Sequence, residues 1–289
     1  MRFIEVKSIL SKLRSDDPWF GITYNMNLYR GCQHGCIYCD TRSECYRIGE
    51  ISQIAVKRNA LELLPGELWS KRKKKGTIGT GSMNDPYMPL EKELQMTRKA
   101  LQIIASEKFP VHVITKSDLV ERDIDLLQAI SSVYAAVSFT ITCAEDSLST
   151  RIEPAAPPTS LRLKAMEALA AQGIYTGITL MPLLPFINDT PENIRVLIRQ
   201  AKDAGASYIL PYFGVTLRQG SRDYFYNALE QKFPGLKARY QTTFGRQYEC
   251  YSPAYRQLKT VFEETCEQEG IATRMQFYHP TPYGQPSLF

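Results

Sequence analysis

Cys32, Cys36 and Cys39 stand at CxxxCxxC spacing inside the run from Asn27 to Asp40, Asn-Leu-Tyr-Arg-Gly-Cys-Gln-His-Gly-Cys-Ile-Tyr-Cys-Asp. Three thiols gathered in one short loop constrain this chain more than any other feature. A closed iron–sulfur cubane normally takes four thiolates, one per iron, so a loop that offers three leaves one iron free for a group that is not protein. The logic is that of an open catalytic metal site. Other readings of the same stretch compete. His34 lies between the first two cysteines and Cys45 follows six positions after the third, so a zinc site of four thiolates, or of three thiolates and an imidazole, can be drawn here. A structural zinc usually shows two ligand pairs separated by a dozen or more residues, and no second pair follows. The CxxCxxCxxxC-Pro spacing of bacterial ferredoxins does not match either.

A chain of 289 residues can bury a large core, and barrels with outer helices routinely run this long as one domain. Hydrophobic content of 44% and charged content of 22% belong to a folded chain and argue against disorder. The N-terminal run Met1 to Lys7 carries spread charges and no apolar core, unlike a secretory signal. No stretch reaches the roughly 18 consecutive apolar residues of a membrane span. The expectation is therefore a cytoplasmic protein with no membrane partner, in which seven cysteines stay reduced. A net charge of +5 permits a polyanionic partner without demanding one. The densest basic run, Lys71 to Lys75, follows a stretch that reads as helical from Ala55 to Leu64 and again from Glu67, and cations are favoured at a helix C-terminus by the backbone dipole.

From about residue 76 to residue 214, short β-branched apolar runs alternate with amphipathic helical stretches, the pattern of a parallel α/β layout. The strands are expected at Thr77–Gly81, Val111–Thr115, Ala135–Thr142, Tyr175–Met181 and Ser207–Phe213, with an earlier one leading into the cysteine loop at Tyr24–Tyr29. Between them Leu94, Leu101 and Ile104, then Leu163, Met166 and Leu169, then Ile194, Leu197, Ile198 and Ala201 recur at helical spacing and mark core faces. Thr190-Pro191 reads as a helix N-cap and first helical residue, and Gly173 and Gly205 sit where helices stop. The layout is thus an N-terminal extension over 1–20, a partial (β/α)6 TIM-type barrel over 21–214 and a C-terminal helical extension over 215–289, with helices near Asp223–Gln231 and Pro253–Gln268 around the aromatic-rich stretch Tyr240 to Tyr251.

In such barrels the reactive residues project from loops at the C-terminal strand ends, and the chain's most unusual segments fall there. The second strand runs into Gly81-Ser82-Met83-Asn84-Asp85-Pro86-Tyr87, where glycine allows close backbone approach and Ser82 offers a hydroxyl. The third ends in Thr115-Lys116-Ser117, a compact cation able to pair with a carboxylate. The fourth ends in Ser138-Phe139-Thr140-Ile141-Thr142, with alternate hydroxyls on one face.

These segments, with Asn27-x-Tyr29-x-Gly31-Cys32, Asp85-Pro86-Tyr87-x-Pro89-x-Glu91, Arg151-Ile152-Glu153-Pro154 and Pro182-x-x-Pro185-x-x-Asn188-Asp189, occur in an order that resembles the spore photoproduct lyase-like group of the radical S-adenosylmethionine (SAM) superfamily, often labelled DNA repair photolyases. The resemblance runs from about residue 20 to residue 190 and more weakly beyond. It implies a [4Fe–4S] cluster on Cys32, Cys36 and Cys39, and S-adenosyl-L-methionine on the free iron, cleaved by one electron to a 5′-deoxyadenosyl radical. It implies further that Tyr38 lies near the adenine, that Ser82 and Lys116 hold the amino and carboxylate ends of SAM, and that Thr140 or Thr142 meets the ribose. A reductant such as flavodoxin or ferredoxin, and a lyase-like reaction on a nucleic-acid lesion, belong to the same implication. Asp85 and Tyr87 are expected either to shape the substrate pocket or to fix a turn, and Arg151-Ile152-Glu153-Pro154 to form an internal ion pair. Where spore photoproduct lyase returns a hydrogen atom from a cysteine near the end of the second strand, this chain aligns Thr80, while Cys143 ends the fourth strand and is a second thiol to consider. Two alternatives stand beside this reading: radical modification of a peptide or small metabolite, and a non-catalytic nucleic-acid-binding protein with a structural metal, whose basic run and tail aromatics would meet phosphates and bases.

Overall fold

The computed structural model describes residues 1–15 and 17–280. Two short strands open the chain, β1 (Arg2–Ile4) and β2 (Leu10–Lys12), followed by β3 (Ile22–Met26), β4 (Tyr29–Arg30), β5 (Ala55–Lys57) and helix α1 (Ala60–Lys71). The alternating part contains β6 (Thr77–Thr80), α2 (Glu91–Leu94), α3 (Met96–Ser106), β7 (Val111–Thr115), α4 (Ile124–Ser131), β8 (Ala135–Thr140), α5 (Asp146–Ile152), α6 (Thr159–Ala171), β9 (Tyr175–Leu180), α7 (Pro191–Asp203) and β10 (Tyr208–Pro211). The tail adds β11 (Gly214–Thr216), α8 (Ser221–Lys232), α9 (Leu236–Phe244), β12 (Glu249–Tyr251) and α10 (Tyr255–Glu269).

One seven-stranded sheet carries the fold, in the order β10-β9-β8-β7-β6-β3-β2. Its ladder from β3 to β10 is parallel throughout, and β2 adds an antiparallel edge. Six parallel strands with outer helices make the partial barrel the sequence announces. It does not close, because β10 and β2 are the two ends of the sheet. All six residues of β8 are buried, the mark of a central strand covered on both faces. No helix among the described residues is long and apolar enough to cross a membrane.

Several sequence expectations need local correction. Ala55–Lys57 is not helical; it forms β5, pairing with β1 and β4, and the helix begins only at Ala60. That helix then runs through Pro65-Gly66, held on either side by fully buried Leu64 and Leu68. Leu94 belongs to a separate short helix, because Gln95 turns into the left-handed region before α3 starts. On α6 Met166 and Leu169 are buried as expected, Leu163 is only partly so, and Arg162 and Ala165 complete the buried face. The expected strand into the cysteine loop is two pieces, β3 in the main sheet and β4 in a three-stranded sheet beside it. The tail is not purely helical, since β12 pairs with β11 just past the barrel. The stripe on α7 is buried as its spacing requires, Thr190 caps it through the Asn193 amide, and Gly173 and Gly205 follow their helices at φ of +74° and +79°. The basic run falls at the end of α1, where Lys75 Nζ donates to the Glu107 and Lys108 carbonyls at 2.9 and 3.0 Å.

Inside the sheet, His112 Nε2 lies 2.7 Å from Ser138 Oγ, which in turn lies 2.7 Å from Tyr208 Oη. Burial holds the imidazole neutral and depresses its pKa from 6.5 to about 4. The unfolded chain therefore takes up a proton near pH 6.5 that the folded chain refuses until about pH 4, so stability falls as pH drops across that window. The full loss is roughly 3 kcal/mol, at about 1.4 kcal/mol per pH unit. Urea unfolding at pH 7, 5.5 and 4.5 is expected to show this fall, with His112→Gln flattening it; an unchanged slope in the variant would assign the acid sensitivity to other groups.

Candidate functional site

The loops after β6, β7 and β8 open on one cavity of about 360 Å³, whose walls include Cys32, Cys36, Cys39, Ser82, Lys116 and Thr140. Residues more than a hundred positions apart thus meet at the C-terminal strand ends. Local sequence explains the approach. Gly81 has φ of +94°, and a Cβ there would stand 2.2 Å from the Ile114 carbonyl oxygen, so only glycine lets the β6 loop cross so close to β7. Gly31 plays the same part ahead of Cys32, where a Cβ would stand 2.5 Å from the Ile51 carbonyl oxygen.

The cysteine loop is fastened by its backbone at both ends. Cys32 N donates to Ile51 O at 2.9 Å, Ile37 N to Ile152 O at 2.9 Å, and Ala155 N to His34 O at 3.0 Å. Gln33 Oε1 accepts from Leu90 N at 2.8 Å. Asp85 then ties this loop to the end of β7. Its carboxylate accepts from Thr115 Oγ1 at 2.7 Å, from Lys116 N at 2.6 Å and from Tyr87 N at 2.9 Å, and its Oδ2 lies 3.1 Å from His34 Nε2. Burial alone would raise the Asp85 pKa, but the His34 imidazole and the donated hydrogen bonds outweigh it and hold the carboxyl down to about 2.

A second brace stands on the other side of the loop. Glu153 receives the Tyr38 hydroxyl and pairs with Arg162 at 2.5 Å. Arg162 is 0% exposed and also donates to Thr140 O at 2.8 Å and Pro157 O at 2.6 Å. Burial opposes the Glu153 charge, yet Arg162, Lys116 and the Tyr38 bond overcome it and lower the pKa. The ion pair expected within Arg151-Ile152-Glu153-Pro154 therefore forms with a different partner. Arg151 is exposed and lies over the Phe233 ring at 4.0 Å.

Charge at the cavity is set by burial against one cation. Burial, followed by Asp85, pushes the Cys32 thiol up to about 11. Cys36 is pushed higher still by burial, with Lys116 opposing. Burial lowers the Lys116 pKa, but Cys36, Glu153 and Asp85 prevail and raise it, so its ammonium stays charged 5.8 Å from the centre of the Tyr38 ring. Thiols held this way become thiolates when metal cations compensate them.

The donor set discriminates between the metal readings. Four-coordinate zinc needs a fourth donor, yet His34 turns its Nδ1 to the Ala155 carbonyl at 3.3 Å and its Nε2 to Asp85, and Cys45 is exposed with its Sγ 3.6 Å from Arg218 Nη1. Three thiols along a cavity wall, each free to take a separate iron, fit a three-cysteine cubane better.

The remaining expected residues divide. Tyr38, Ser82, Lys116, Thr140 and Asp85 line the cavity. Ser82 is exposed, with its hydroxyl 3.5 Å from Asn27 Oδ1, and Thr140 Oγ1 accepts from Thr179 Oγ1 at 2.9 Å. Thr142, Tyr87 and Cys143 lie outside the cavity wall. Thr142 Oγ1 faces Cys143 Sγ at 3.7 Å, Cys143 accepts from Asn188 Nδ2 at 3.6 Å, and Tyr87 donates to Asp123 at 3.0 Å beneath the loop. Met181 and Tyr212 line the cavity without having been singled out, and Arg162 had no local signal at all, sitting between Leu161 and Leu163.

Residues 26–201 match the family model described as the Radical SAM superfamily. An uncharacterised protein of Methanocaldococcus jannaschii is 34% identical over 217 residues, covering 74% of this chain and 78% of that one. An uncharacterised protein of Mycobacterium tuberculosis is 28% identical over 242 residues, covering 81% and 71%. In shape, spore photoproduct lyase with bound AdoMet and a dinucleoside spore photoproduct superposes with a TM-score of 0.70 at 14% identity, over 92% of this chain and 78% of the lyase. The radical S-adenosylmethionine methyltransferase TsrM of Kitasatospora setae gives a TM-score of 0.58 at 13% identity, over 83% and 51%.

Proposed function

This chain belongs to the radical SAM superfamily, and on that premise we propose that it holds a [4Fe–4S] cluster on Cys32, Cys36 and Cys39, cleaves SAM reductively, and abstracts hydrogen from a nucleic-acid lesion. The carrying observation is that the three thiols share one cavity wall with Ser82, Lys116 and Thr140 while His34 and Cys45 are committed elsewhere. When bound, the cluster and SAM supply a 5′-deoxyadenosyl radical; the protein's work is to position and shield it. Lys116 is the charged group placed to pair with the SAM carboxylate, Ser82 offers a hydroxyl to its amino end, and Thr140 to the ribose. Asp85 and Glu153 keep those groups in place, one anchoring the Lys116 backbone and the other Tyr38. The electron is to come from a small reductant such as flavodoxin or ferredoxin.

A nucleic-acid substrate is supported by the net charge of +5 and by the dinucleoside photoproduct held by the lyase of like fold. Thr80 stands at the expected place of that lyase's hydrogen-returning cysteine, and among the described residues the three loop cysteines are the only thiols lining the cavity. On this reading the lesion does not receive its hydrogen atom from a cysteine at the end of the second strand, where this chain has Thr80.

Anaerobic reconstitution, then dithionite and SAM, is expected to release 5′-deoxyadenosine. Protein loaded with iron and sulfide that releases none would overturn this assignment.

A further inference from the structure

Beside the cofactor cavity lies a larger one of about 770 Å³, and Tyr212 lines both. It lies along β10, at one end of the sheet. Trp19, from the segment between β2 and β3, lines it together with Leu210 and Pro211 of β10. The rest of its lining comes from Tyr212 and Phe213 after β10, from Tyr251 of β12, and from α10 and the residues that follow. Aromatic rings concentrate here, and three of them, Trp19, Tyr251 and Tyr255, are 44%, 42% and 38% exposed. They form a chain of rings, with Tyr212 and Tyr251 centred 5.7 Å apart, Tyr251 and Tyr255 5.8 Å, and Tyr255 and Phe213 5.6 Å. Glu249 accepts from the Tyr251 hydroxyl at 3.1 Å and the Tyr212 hydroxyl at 3.5 Å, which fixes those rings. Arg274 and Lys259 stand on the rim, the latter 3.8 Å from Glu263.

We propose that this second cavity binds unpaired nucleobases of a single strand next to the reacting nucleotide. The inference rests on the radical SAM reading for the reacting end alone. Tyr212 lines both cavities, so a ligand that uses both is an extended one, with one residue at the cofactor and its neighbours in the second cavity. A small metabolite would leave the larger cavity without a role. Neighbouring rings meet at 55° to 87°, so each base would stack on the exposed face of a single ring, Trp19, Tyr251 or Tyr255, a sequence-tolerant contact, with Arg274 and Lys259 on the rim for the phosphates. The half-exposed rings, clustered here and joined to the cofactor cavity, favour bases over a flat duplex surface.

The test uses anaerobic, cluster-loaded protein and a fluorescein-labelled 12-mer of thymidylate, single-stranded or annealed to its complement. The single strand is expected to bind better than the duplex. Y251A/Y255A is expected to weaken single-strand binding at least tenfold, Y251F/Y255F to restore it, and Arg274→Gln to lower the slope of log affinity against log salt by about 0.7. Uncoupled 5′-deoxyadenosine release serves as the control for folding and loading, because Tyr251 and Tyr255 line no part of the cofactor cavity. Equal binding by wild type and Y251A/Y255A overturns the proposal, as does preference for duplex, and so does tighter binding of a tyrosine-rich peptide that the same double variant loses. Absence of 5′-deoxyadenosine from the wild type, by contrast, would sink the assignment of the cofactor cavity and leave the oligonucleotide result standing by itself.

Discussion

Cys36→Ala is expected to lower 5′-deoxyadenosine formation by roughly 100-fold or more and to leave the purified protein largely without iron. Loss of a group that merely supports a metal ligand typically costs about 10- to 100-fold in affinity or activity, and removing one of three ligands should exceed that. No nearby thiol can substitute. Cys45 is exposed beside Arg218, and Cys143 is 1% exposed, off the cavity wall and engaged by Asn188. Cys45→Ser and Cys143→Ala are therefore the informative controls, both expected to retain iron content and the electron paramagnetic resonance signal of a reduced cubane. Full iron loading in Cys36→Ala would remove that residue from the ligand set, and loss of iron in Cys45→Ser would point to a four-thiolate centre.

Arg162→Leu is expected to be the most destabilising single substitution in the barrel. The guanidinium has no exposed surface and meets Glu153, the Thr140 carbonyl and the Pro157 carbonyl at once. Removing it leaves the buried Glu153 charge with only the Tyr38 hydroxyl and the Lys116 cation to offset it, and breaking a buried pair in this way costs about 3–5 kcal/mol. Domain stabilities of about 5–15 kcal/mol make that a large share of the total. Replacing both members, as in Arg162→Leu with Glu153→Leu, is expected to recover part of the loss, because no isolated charge then remains. Urea unfolding of the two variants beside wild type measures this directly. A single variant within about 1 kcal/mol of wild type would mean that water reaches the pair. Because Tyr38 precedes Cys39 and donates to Glu153, weaker cluster retention should accompany the loss.

Much of the barrel was readable along the chain, and the reasons are local. Val111–Thr115 and Tyr175–Leu180 are short β-branched runs bounded by helix stops, and such runs have few alternatives in a parallel sheet. Ile194, Leu197, Ile198 and Ala201 are all buried because a helix of that spacing has one face to hide. Reading failed where neighbours outrank propensity. Ala55–Lys57 becomes a strand because β1 and β4 lie on either side of it. Glu249–Tyr251 becomes one because β11 offers an edge. Motif order already named Cys32, Cys36, Cys39, Ser82, Lys116 and Thr140, and the fold brings all six to the wall of one cavity because each ends or follows a strand or sits in the cysteine loop. Thr142 could not be separated from Thr140, because the strand stops at Thr140 and the next turn carries Thr142 toward Cys143.

By itself the sequence determined the six-strand alternation, the thiol loop and the side chains offered at the strand ends, all of which depend on residues close together in the chain. Tertiary structure alone decided that Glu153 pairs with Arg162 instead of Arg151, that His34 faces Asp85, and that Tyr212 lines two cavities at once. Periodicity and capping are short-range and leave a trace in the letters, whereas the pairing of buried charges and the shape of a cavity depend on which distant segments the closed packing brings together.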